Sequence, residues 1–213
     1  AAIDGDLLQV APERLGHHLP HAQRGAGRRI HLVPMMRFDN FDIRVVPQNL
    51  GRHLNELHRG VHTHAHVDHT MGSARLSELT GAPTYLHQGD AHLHSCMDVQ
   101  ALEMGIRLPV STPMDKILKD ADSISFGRYQ LGVLHTPGHT PGSVCLQVPG
   151  ESLCLTGDTL FKGGIGRTTR WGGEPETLVK SVKDRLYELH GSVKIVPGHG
   201  EMSTIDYERC TNP

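Results

Sequence analysis

The chain lacks any run of about 18 apolar residues, so nothing in it reads as a membrane-spanning helix. Its opening, AAIDGDLLQV, lacks the basic and then apolar pattern of a secretion signal, and a soluble protein is expected. Charge bias is missing too. Lys plus Arg number 21 against 23 Asp plus Glu, a net charge of -2, which gives no electrostatic reason to expect nucleic acid or an anionic membrane surface as partner. A small molecule is the expected partner. The four cysteines, Cys96, Cys145, Cys154 and Cys210, form no CxxC pair and are sparse for a disulfide framework. Buried free thiols in a reducing compartment, the cytoplasm or an organellar matrix, are expected. No internal repeat, low-complexity tail or linker divides the 213 residues, so a single domain over residues 1–213 is expected.

The residue in excess is histidine, with 17 copies. His17, His18, His21, His53, His58, His92 and His94 fall in no ligand pattern and read as surface or packing residues. The segment HTHAHVDHTMG, residues 62 to 72, is different, because it crowds His62, His64, His66 and His69 around Asp68.

Residues 16 to 29, GHHLPHAQRGAGRR, hold no sustained period and read as loop. DIRVV (42 to 46) reads as a short strand, and Leu50, Leu54 and Leu57 as one apolar helix face. A helix is expected over 71 to 81, closed by Gly81, then a strand at Thr84 to Leu86. Mixed helix and loop follow from 88 to 122. SISFGRYQLGVLHT alternates about Gly127 and reads as strand, tight turn and strand, while VCLQV (144 to 148) and LCLT (153 to 156) flank the turn residues Pro149 and Gly150. Pro175 opens a helix whose face carries Leu178, Val182, Leu186 and Leu189 before Gly191, and VKIV (193 to 196) is the last strand expected. Strands and helices thus alternate with hairpins, which suits sheets covered by helices.

Four segments place His or Asp where strands end: His64, His66, Asp68 and His69; His139 in TPGHTPGS; Asp158 in TGDTLF; and His199 in VPGHG. On an extended segment, residues two apart point the same way, so His64, His66 and Asp68 are expected to converge, with His69 turned to an adjacent region. Crowded imidazoles repel on protonation unless a cation holds them neutral, and neutral imidazole is a common metal ligand. Seven candidates exceed the needs of one tetrahedral ion. Two ions use all seven, with His64, His66 and His139 on one, Asp68, His69 and His199 on the other, and the Asp158 carboxylate between them. No Ser, His and Asp arrangement competes as a nucleophilic triad.

THAHVDH (63 to 69), with His139, Asp158 and His199, resembles the metallo-β-lactamase superfamily. LHTPGHTPGSV, TGDTLFKGGIGRT and VPGHGEMSTIDYERCTNP are similar to its glyoxalase II-like, hydroxyacylglutathione hydrolase branch. The resemblance covers roughly residues 61 to 213. It implies an α/β fold, an αββα sandwich of two sheets face to face with helices outside. It also implies a binuclear hydrolase that cleaves a thioester such as an acyl-glutathione by attack of a metal-bridging hydroxide, with Asp68 orienting that hydroxide and handling a proton. Two zinc ions are expected from the histidine-rich ligation, iron or manganese being the alternatives the carboxylates leave open.

The chain departs from the branch in two places. Where glyoxalase II holds glutathione with a Lys and then a Tyr, the aligned residues here are Arg167 and Thr169. Arg167 and Lys162 are the substrate-binding candidates, each with a solvated loop charge as its competing reading. The GRT at 166 to 168 also resembles the persulfide dioxygenases, in which His64, His139 and Asp158 would hold a single iron. A lactone or β-lactam hydrolase and an inactive metal-binding module complete the alternatives. Upstream, only a helix fits between RVVPQNL and HTHAHVDH, where the family places a hairpin and an Asp-Pro-Gly strand. Residues 1–45 therefore read as a divergent segment that leaves the first sheet unusual or incomplete, and exposed strand edges would favour a homo-oligomer.

Overall fold

The computed structural model describes residues 59–107, 114–126 and 129–213, all of which fall in one compact unit. The strand expected at 42 to 46, the helix at 50 to 57 and everything read for residues 1–45 lie outside the described residues. Two sheets make the frame. The first holds three parallel strands in the order β1 (Gly60–Val61), β2 (Thr84–His87) and β3 (Lys116–Leu118). Parallel neighbours need crossovers, and helices supply them: α1 (Val67–Thr70) and α2 (Ser73–Thr80) before β2, then α3 (Ala91–Ser95) and α4 (Met97–Met104) before β3. Gly81 ends α2 in the left-handed conformation, as its sequence suggests.

The second sheet is mainly antiparallel. It contains β4 (Ser123–Phe126), β5 (Tyr129–His135), β6 (Val144–Val148), β7 (Leu153–Gly157), β10 (Lys194–Pro197) and β11 (Ser203–Thr204), in the order β11-β10-β7-β6-β5-β4. A separate ribbon pairs β8 (Leu160–Phe161) with β9 (Gly164–Ile165). β6 shows why the molecule is layered. Val144, Leu146 and Val148 point to one face and join Leu118, Ile124, Leu131 and Val133, with Val61 and Tyr85 of the first sheet packed against them. Cys145 points to the other face, where Cys154 and Ile195 meet Leu178's helical neighbours Val182 and Leu186. That helix is α5 (Pro175–Ser181), continued by a wider π-helical turn, Val182–Leu186. On the outer side of the first sheet, Val67 of α1 packs with Met97 and Ala101 of α4. The order of layers is helices, sheet, sheet, helices, the αββα arrangement that the resemblance implies.

Four expectations need correction. β10 is not the last strand: β11 follows, then α6 (Ile205–Thr211), capped by Thr204 Oγ1 accepting from Tyr207 N at 3.3 Å. A two-residue strand carries no periodicity, so STIDYERC gave no sign of it. β3 is likewise a short strand inside a stretch read as helix and loop, with Lys116 and Ile117 exposed. The helix opened by Pro175 stops at Leu186 rather than at Gly191, because the π turn brings Tyr187 N to Val182 O at 2.9 Å. Finally, all four cysteines are free but only Cys145 and Cys154 are buried, Cys210 being exposed and Cys96 half-buried. Among the described residues, no helix is long and apolar enough to cross a membrane.

Candidate metal centre

The four ligand-bearing segments leave one edge of the frame. β5 and β7 both run antiparallel to β6, and β10 runs parallel to β7, so the C-terminal ends of β5, β7 and β10 lie together. His139 follows β5, Asp158 follows β7 and His199 follows β10. The fourth segment leaves β1 extended as far as His66, with φ -67 and ψ 146, and turns helical at Val67. This corrects the expectation that His64, His66 and Asp68 share one extended face. Asp68 and His69 sit in the first turn of α1, and the change from strand to helix is what sends the two halves of the run to different partners.

The structure brings all seven residues together. His66 Nδ1 lies 2.9 Å from His139 Nε2, and His69 Nε2 lies 3.1 Å from His199 Nε2. Asp158 stands between the halves: Oδ2 is 3.7 Å from His139 Nε2 and 3.6 Å from His199 Nε2, while Oδ1 is 3.6 Å from His69 Nε2. Asp68 Oδ2 is 3.4 Å from His199 Nε2 and 3.7 Å from His69 Nε2. Three overlapping groups have ligand atoms within 4.8 Å of one another: His64, His66 and His139; His64, His69 and Asp158; Asp68, His69 and His199. The rim is asymmetric. His64 is fully buried, whereas the side chains of His199 and Asp68 are 32% and 27% exposed, so solvent reaches the cluster from their side.

Burial sets the charge states. His64 is held well below its ordinary pKa by burial and then by its histidine neighbours, His66 falls to about 3 through burial and His139, and His69 to about 4 chiefly through burial. These imidazoles are neutral with lone pairs available. Asp158 is pushed up to about 6, again by burial, against the pull of His199 and with help from Asp68. Burial pushes Asp68 up as well, but the hydrogen bond from His199 and the charge of His69 outweigh it and bring it to about 2.

The residues fit a cation. Buried polar atoms almost always find partners, yet His64 Nε2, His66 Nε2 and Asp158 Oδ1 have none within hydrogen-bonding reach among the described residues. All three belong to the cluster. His139 is also oriented in the manner of a metal ligand: its Nδ1 donates to the Arg167 carbonyl at 2.7 Å, which leaves Nε2 unprotonated and facing His66 and Asp158. His62, the remaining histidine of the run, behaves differently. It is buried, but its Nδ1 lies 3.1 Å from Tyr85 O and its Nε2 2.5 Å from Ser73 Oγ, so it is a satisfied core residue.

Lys162 is paired with Glu201 at the surface, and the side chain of Arg167 is exposed while its main chain supports His139. Sequence reasoning passed over Trp171, whose ring lies 5.2 Å from that of His66, and Arg170, whose guanidinium lies 5.4 Å over the Trp171 ring. The chain's sole tryptophan before the Gly172 and Gly173 pair was the signal available.

Residues 26–199 match the metallo-beta-lactamase superfamily, and the chain belongs to it. The probable metallo-hydrolase YqgX of Bacillus subtilis is 35% identical over 153 residues, and the hydroxyacylglutathione hydrolase GloC of Haemophilus influenzae 31% identical over 153 residues; each match covers 71% of this chain and 72% of the relative. The mitochondrial persulfide dioxygenase ETHE1 of Bos taurus is 36% identical over 155 residues, covering 71% of this chain and 54% of that protein. Among solved structures, TTHA1623 in a di-iron-bound form is 37% identical with a TM-score of 0.66, covering 72% of this chain and 75% of that one. The BLEG-1 B3 metallo-beta-lactamase is 30% identical with a TM-score of 0.73, covering 81% and 83%. The seven residues thus form a His/Asp cluster of metal-binding type in a superfamily of hydrolase-like proteins.

Proposed function

We propose that the chain is a binuclear metal-dependent hydrolase that cleaves a thioester of acyl-glutathione type. The observation that carries this reading is the position of Asp158, whose carboxylate reaches His139 of one histidine group and both His69 and His199 of the other. His64, His66 and His139 would hold one cation, Asp68, His69 and His199 a second, and Asp158 both. Bound there, such cations lower the pKa of a shared water towards neutrality and polarise a substrate carbonyl. Asp68 is ionised at neutral pH and partly exposed, so it can accept a hydrogen bond from that water and orient it. Buried, neutral imidazoles keep the donor set unprotonated in the same pH range. The likeness to GloC supports the thioester class, and histidine-rich ligation supports zinc.

The identity with ETHE1 and the GRT at 166–168 favour a second reading, a persulfide dioxygenase with one iron on His64, His139 and Asp158. One experiment separates the two: metal-loaded protein is given S-lactoylglutathione, or glutathione persulfide with oxygen uptake recorded. Thioester hydrolysis that falls about 100-fold or more in Asp68→Ala is the expected result. Oxygen uptake without thioester cleavage would overturn the hydrolase reading, and an Asp68→Ala variant with unchanged hydrolysis would overturn the role given to Asp68.

A further inference from the structure

Asp90 is a fully buried carboxylate outside the seven-residue cluster. It closes a one-turn 3-10 helix, Gln88–Asp90, between β2 and α3. Its two oxygens take three donors: Oδ2 accepts from Ala65 N and from Thr140 Oγ1, each at 2.8 Å, and Oδ1 accepts from Gly142 N at 2.6 Å. Ala65 stands between His64 and His66, and Thr140 follows His139. One side chain therefore ties together the two segments that carry the histidines of the first group. Asp90 lies close enough to the second of these segments to require glycine there, since a Cβ on Gly142 would lie 2.5 Å from Asp90 N and 2.7 Å from Asp90 Oδ1. Gln100, also fully buried, braces the first segment alone: Oε1 accepts from Val67 N at 3.0 Å, and Nε2 donates to Ala65 O at 3.2 Å and Leu93 O at 2.8 Å. Both backbone groups of Ala65 are thus held by side chains where the chain has left the sheet and no ladder can hold them. Among the described residues, the hydrogen-bond partners of Asp90 include none from the Asp158 or His199 segments.

We propose that Asp90 is a positioning residue that fixes His64 and His66 against His139, and so sets metal affinity at that group and not at Asp68, His69 and His199. The assignment rests on the two-group reading of the cluster. A carboxylate is needed because three donors converge on it; an amide in its place would turn its own N–H donors toward an N–H or O–H.

Titration of chelator-stripped protein with Co(II), followed by visible absorption and metal analysis, tests this. Wild type should take two equivalents. In Asp90→Asn, one equivalent should weaken about tenfold or more while the other changes by less than about threefold. The spectrum of the equivalent that remains should match that of His66→Ala and differ from that of Asp68→Ala. A merely structural role would weaken both equivalents in step with lost stability. Equal weakening, or none, in a variant of a wild type that binds two overturns the assignment alone. A wild type that binds fewer than two overturns the two-group reading and this assignment with it. Should Asp90→Asn fail to fold, Thr140→Val decides: it removes one donor and keeps the volume, so selective loss at the same equivalent supports the assignment, and equal or no loss overturns it.

Discussion

His62, His66 and His69 have pKa values lowered from 6.5 to about 4, 3 and 4, in each case chiefly because burial penalises the charged ring. In metal-free protein each is therefore neutral when folded, while the unfolded chain takes up protons once the pH drops below 6.5. Their contribution to stability is present above that value and is lost as the pH falls toward 4. Asp158 works in the opposite sense: raised from 3.8 to about 6, it binds a proton in the folded state first and favours folding between those values. Three histidines outweigh one carboxylate, and each uncompensated group is worth about 1.4 kcal/mol per pH unit. Chelator-treated protein should need clearly less urea to unfold at pH 5 than at pH 7; a midpoint that holds or rises would contradict these protonation states. At this scale the sequence was legible where chemistry repeats and illegible where it does not. The alternation of His64 and His66 with Asp68 marks them as ligand candidates and leaves His62 outside the set, but nothing in the letters shows that Ser73 and Tyr85 satisfy His62. Asp90 gave no signal either, because its three partners come from segments distant in the chain.

Elements act on the site by docking. The loop that carries His139 is pinned by α5: Glu174 N donates to Gly138 O at 2.7 Å, and Ser181 Oγ to Pro137 O at 2.7 Å. Gly138 adopts φ +127, and a Cβ there would lie 2.2 Å from Leu178 N. Gly138→Ala must therefore strain the backbone or push α5 off the loop, with an expected cost of about 3 kcal/mol. Thermal unfolding of metal-free protein checks this, and a melting temperature equal to wild type would contradict the docking. Elements were readable from sequence in proportion to their length and regularity. VCLQV matches β6 residue for residue because both of its faces are buried in alternation. β3 and β11 are too short for a period, and the helical turn at Val67 was hidden because its N–H is taken by the distant Gln100 rather than by a local capping side chain.

At the scale of the whole molecule, two sheets face to face place the ends of β5, β7 and β10 beside the turn into α1, and that convergence makes seven scattered letters one site. The layered fold was legible in the alternation of strands and helices together with the family motifs. The pairing order was not, since β10 joins β7 in parallel across the intervening ribbon and α5, a long-range choice that local pattern does not encode. In the proposed function Asp158 joins two cation sites rather than completing one. The metal content per chain of freshly purified protein, with protein quantified by amino-acid analysis, tests it most directly. Two metal ions per chain is the predicted result; a value of one or fewer, unchanged after incubation with excess zinc, would contradict it.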